Sequence, residues 1–209
     1  MMNSKAFSLA VRVIAVVVLA LGTGAVAHTQ KHTKLHGIIN DYTAATGVAG
    51  PWEMHGSWSL DLNVDSGKAD FSGVMTMEHP DSWIAANPGA PPNPPNIDNP
   101  VSRNPHTHHI TMTDAMISDD TSVCPADSPS TTVRLVVIGQ PTITGNGSAA
   151  PFEAKGPSTL QVCITGGTEV EFSNVTMAFT STSPATVHFG TQAIHGVVRK
   201  TTLEHDRDR

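Results

Sequence analysis

The sequence predicts an all-β domain of about eight antiparallel strands, closed into a barrel or folded as a closely related sandwich and stapled by one disulfide. Three observations carry this. Apolar and polar residues alternate over long stretches, as in strands with one buried face. Charged residues make up only 14% of the chain and aromatic residues 5%, with Gly 17 and Pro 15 among abundant Thr, Ser and Val, a balance suited to strands and turns. The two cysteines, Cys124 and Cys163, form an even pair whose natural state in an oxidising compartment is a bridge. A pair of thiolate metal ligands is the weaker assignment, because neither belongs to a C-x-x-C pair.

Residues 1–27 carry Lys5 and Arg12, an apolar run from Val13 to Leu21, and the small-x-small ending Ala25-Val26-Ala27. This pattern is that of a secretory signal peptide, and the apolar run is short of the roughly 20 residues a bilayer span needs. Removal of the leader leaves 209 − 27 = 182 residues, enough for one domain, addressed to the periplasm or the exterior. Acidic residues number 18 against 12 basic, and the leader holds two of the basic ones, so the remainder carries 10 − 18 = −8. Such a balance excludes nucleic acid as the expected partner, and no later stretch reads as a membrane span.

Residues 28–50 form a partly flexible segment in which His28, His32 and His36 have helical spacing. The domain proper is expected over 51–200. From Trp52 to Val64 the alternation is almost strict, and Asp65-Ser66-Gly67-Lys68 turns the chain into a second alternating run through Phe71, Gly73, Met75 and Met77, which together predict a long hairpin. Residues 80–105 hold eight prolines and read as a long surface loop. Further strands are expected near 106–117, 132–139, 158–165, 169–180, 186–190 and 193–200, with a bulge near Ser173-Asn174 where the apolar parity changes. Residues 201–209 make a charged, frayed tail.

The candidate chemistry lies in the 11 histidines, above all in His106-Thr107-His108-His109. On a strand, His106 and His108 share one face and His109 takes the other. Ile110 and Met112 have the parity of the pair, so the two imidazoles lean toward the apolar side, where unpaired they are costly. A third ligand is expected from His55, His79, His188 or His195, gathered at the strand ends, with zinc or copper as the ion. The expected function is therefore a secreted protein that binds a metal or small ligand at one end of a β-barrel. Water activation at an open coordination position is conceivable chemistry, but no general base stands out and no nucleophile elbow, phosphate loop or dinucleotide fingerprint is present.

Two short resemblances add alternatives. Cleavage after Ala27 would expose His28, whose α-amino group and imidazole resemble the start of the copper brace of secreted polysaccharide monooxygenases, implying an oxidative copper enzyme. Gly56-Ser57-Trp58 with Arg199 resembles the G-x-W and closing arginine of lipocalins. That resemblance implies a cup for a small apolar ligand walled by Trp58, Phe71, Met75 and Met112, with the arginine packed across the tryptophan.

Overall fold

A computed structural model of the chain describes residues 32–43, 51–89, 105–145, 157–166 and 173–204. The strands are β1 (His32–Thr43), β2 (Trp52–Asn63), β3 (Lys68–Glu78), β4 (His106–Ser118), β5 (Val133–Gly139), β6 (Thr142–Gly145), β7 (Leu160–Gly166), β8 (Ser173–Phe179) and β9 (Ile194–Glu204), with short helices α1 (Asp81–Ala86) and α2 (Thr186–Phe189). Every pairing is antiparallel. The order β3-β2-β1-β9-β8-β7-β5-β4 closes through β3–β4 into an eight-stranded barrel, and β6 adds an extra strand beside the first half of β4. Closure leaves few unpaired edges and turns one face of every strand inward.

The expected hairpin is present, with Trp52, Met54, Trp58, Leu60 and Leu62 of β2 buried and their alternates outside. The barrel interior is one continuous apolar core that also takes in Leu35, Ile39, Phe71, Met112, Val162 and Val175. A bulge in β4 shifts its register against β3 between Met112 and Ala115, and beyond it β4 also pairs with β5. Asp114 takes the left-handed conformation there (φ 54°), and the Asp70 carboxylate accepts its backbone N–H at 2.9 Å.

Several elements differ from the sequence expectation. Residues 32–43 are a barrel strand, not a helical face or a loose segment. The inward set Leu35, Gly37 and Ile39 includes a glycine, which hides the alternation, while the four-residue histidine spacing imitates a helix. Gly37 is where β1 shifts register against β9, and a Cβ there would collide with the Val197 carbonyl oxygen and stand 2.6 Å from Trp58 Nε1. Residues 81–86 leave the proline-rich loop as helix α1. Six residues free of proline follow Pro80, whose carbonyl accepts from the Trp83 and Ile84 N–H groups. The rest of that loop, residues 90–104, lies outside the described residues, as do residues 1–27, read as a signal peptide, and His28.

Residues 186–189 form α2 instead of a strand, and Thr142–Gly145, read as part of a turn region, form β6. No register shift marks Ser173-Asn174. The parity change arises because β8 is covered on both faces, with Thr176 and Ala178 buried alongside Val175, Met177 and Phe179. The cover is the segment after β4: the Cys124–Cys163 disulfide, as expected, ties it to the outer face of β7, and the Asp127 carbonyl faces His195 of β9 at 3.2 Å. Strand β9 also runs on to Glu204, paired with β1, into what reads as a charged tail.

Candidate metal centre

The end of the barrel at which β4 begins is also where β3 ends, β2 begins, and the β8–β9 connection crosses. Three histidines meet there. On β4 the period of two sends His106 and His108 inward, 2% and 1% exposed, while His109 projects to solvent and Thr107 hydrogen-bonds Thr76 across the outer face at 3.2 Å.

His188 comes from α2, held by a local polar frame. The Ser183 hydroxyl accepts the Thr159 N–H at 2.8 Å, Ser158 Oγ accepts the Ala185 N–H, and Thr186 donates to the Ser183 carbonyl. The helix stops at Gly190 (φ 80°), a conformation glycine supplies without strain. The result is a one-turn plug with His188 and Phe189 buried beneath it.

His188 Nε2 lies 3.1 Å from His106 Nε2 and 3.0 Å from His108 Nε2, and the three ligand nitrogens all fall within 4.8 Å of one another. Two nitrogens on one tetrahedral ion at about 2.0–2.1 Å stand about 3.3 Å apart, so the spacing is close to that of a shared ion. Protons alone serve this geometry badly. A neutral imidazole nitrogen carries either one proton or one lone pair, and His188 Nε2 faces two others at once. An ion accepts all three lone pairs together. The cluster can therefore hold a metal ion.

The surroundings orient these rings and disfavour charge on His108. Burial drives the His108 pKa down to about 3, neighbouring His106 and His109 push the same way, and the Thr144 backbone carbonyl opposes them. The Trp52 indole N–H donates to the His188 carbonyl at 3.0 Å, and the Trp52 ring packs against both His106 and His188. Phe189 meets the edge of His108. Backbone acceptors and packed rings of this kind fix the orientation of metal-binding imidazoles.

Of the other expected ligands, His79 sits one layer further out, stacked between Trp52 and Trp83 at centroid distances of 3.8 and 3.5 Å. Its Nδ1 bonds the Pro51 carbonyl at 2.7 Å, its Nε2 is buried without a partner among the described residues, and burial lowers its pKa against the opposing effect of that bond. His55 is exposed on the outer face of β2, grouped with Glu53 and Glu78. His195 also faces outward, bonding Asp41 through both its ring and its backbone N–H. Neither His55 nor His195 reaches the buried cluster. The two glutamates beside His55 went unnoticed in the sequence because they are 25 positions apart and become neighbours only through the β2–β3 register.

Trp58, Phe71, Met75 and Met112 are at most 2% exposed and belong to the packed core. Arg199 is exposed, on the opposite parity from buried Val198, so it does not pack across Trp58 as the lipocalin resemblance implies; Gly37 covers the indole instead. Compared with known proteins, the chain matches no family model, no curated protein and no solved structure.

Proposed function

We propose that this chain is a secreted or periplasmic metal-binding barrel that holds one transition-metal ion through Nε2 of His106, His108 and His188. The observation that carries the reading is the convergence of three buried imidazole nitrogens within 4.8 Å of one another. Export is supported by the leader pattern of residues 1–27 and by the Cys124–Cys163 bridge, which persists in an oxidising compartment. Neutral imidazole favours zinc or copper among available ions. Three protein ligands leave a coordination position that a small molecule or water can take.

The test is elemental analysis of protein produced in an oxidising compartment without chelators or a histidine tag, alongside a His106→Ala/His108→Ala/His188→Ala variant. One equivalent of zinc or copper, lost in the variant, supports the reading. Well-folded wild-type protein that takes up neither ion, even after incubation with both, overturns it.

A further inference from the structure

We infer that the ion this centre selects is copper(I), with a methionine thioether from β3 completing the coordination; the inference rests on the metal-binding reading and specifies its ion. The barrel register places Met77 directly opposite His106 and Met75 directly opposite His108 across the β3–β4 ladder, and Met54 of β2 lies opposite Met77. All three methionines are fully buried on the inward face that carries the histidines. Directly opposed residues have Cβ atoms about 4.5–5.5 Å apart, and an unbranched side chain with three rotatable bonds spans that gap to an ion held by its neighbour. Met112, by contrast, turns its sulfur toward Gly139 on β5, away from this row.

Charge points the same way. The buried polar residues are histidines, serines and threonines; no Asp or Glu is buried among the described residues. A divalent ion on neutral ligands brings two uncompensated charges into an apolar core, and the solvation cost of an ion scales with the square of its charge. A monovalent ion incurs about a quarter of that cost. Thioether and imidazole are also the ligand pair that soft copper(I) prefers over zinc. The aromatic rings of Trp52 and Phe189 pack on the cluster.

Anaerobic titration of the full chain with copper(I) against a chromogenic chelator, with zinc titrated in parallel, tests this together with X-ray absorption at the copper edge. The comparison proteins are Met75→Leu, Met77→Leu and their double variant, a near volume-conserving exchange, and His188→Ala. Expected are sulfur bonded to copper in the wild type, and a fall of at least about tenfold in copper(I) affinity in the double variant with zinc affinity unchanged. A spectrum with nitrogen ligands alone, or equal copper(I) affinity in the wild type and the folded methionine variants, overturns the inference while leaving the histidine site standing. Failure of both ions to bind overturns the inference through its foundation, the metal-binding reading itself.

Discussion

The indole N–H of Trp52, the first residue of β2, donates to the main-chain carbonyl of His188, 136 positions later in the chain. Together with the Ser158 and Ser183 bonds, this bond fastens the α2 plug to the barrel wall and helps aim the His188 imidazole. Replacing Trp52 by Phe keeps an aromatic ring but leaves a buried carbonyl without its donor. The variant should lose about 1–3 kcal/mol of stability in urea unfolding. Its affinity for the bound ion should fall by about 10- to 100-fold in a competition titration. Unchanged metal affinity in a destabilised W52F protein would show that the bond serves the fold alone.

Trp83 of α1 covers His79 from the side opposite Trp52. Burial is the leading cause that lowers the His79 pKa, so Trp83→Ala should admit water and raise it toward about 6.5. Proton NMR titration of the His79 ring in the two proteins reads this directly, and an unmoved value would mean that Trp52 and Pro51 suffice to shield the ring.

The outward pair Asp41–His195 predicts a pH dependence of stability. His195 is raised above its ordinary pKa, first by its bond to Asp41 and against the opposing effect of burial, with Asp127 adding to the rise. Burial alone would raise Asp41, but the side-chain and backbone bonds from His195, with the Tyr42 N–H, outweigh it and hold its pKa low. A raised histidine stabilises the fold fully below its unfolded pKa and ceases to do so as pH climbs through the folded one. The lowered aspartate contributes above its unfolded pKa and loses that contribution as pH falls through the folded value. The pair is therefore strongest between about pH 4 and 6.5. Urea midpoints of the wild type should drop from pH 6 to pH 9 by the equivalent of about 1 kcal/mol, and His195→Gln should remove that slope. An equal slope in the variant would assign it to other groups.

Gly37 is the point of closest approach between β1, the Val197 carbonyl and the Trp58 indole. Gly37→Ala forces backbone and a buried ring apart at once and should cost about 3 kcal/mol in equilibrium unfolding. A cost below 1 kcal/mol would mean that β1 slides freely at its bulge.

Breaking the Cys124–Cys163 bridge opens a loop with a sequence separation of 39. Loop entropy puts the loss near 4 kcal/mol for the Cys124→Ala/Cys163→Ala variant, measured against the oxidised wild type. Metal stoichiometry should survive, since the bridge lies on the outer face of β7 and the histidines lie inside the barrel. Loss of both together would couple the cover segment to the centre.

The long alternating strands β2, β3 and β4 were legible because each buries only one face, so parity alone places His106 and His108 inside. The third histidine of the cluster was not. His188 lies in a short apolar run that reads equally well as strand or helix, and only barrel closure selects it over His55, His79 and His195. Strand β1 was masked by Gly37 occupying an inward position, and β8 by burial on both sides, conditions under which a period of two carries no face information. β6 has only four residues and owes its existence to pairing with β4, a tertiary effect that local sequence does not encode.

The His188 contacts join residues 80 and 82 positions apart, and the three imidazoles are almost wholly sealed from solvent. Under the proposed metal-binding reading, an emerging chain would offer an ion only the two histidines of β4 from this cluster, and loading at all three would wait until the barrel has closed. If the centre binds a metal as proposed, exchange of the ion would require local opening of its cover, in which the α2 turn takes part. The residence time of such an ion would then depend on the backbone of Ser183–Gly190 as well as on the three nitrogens.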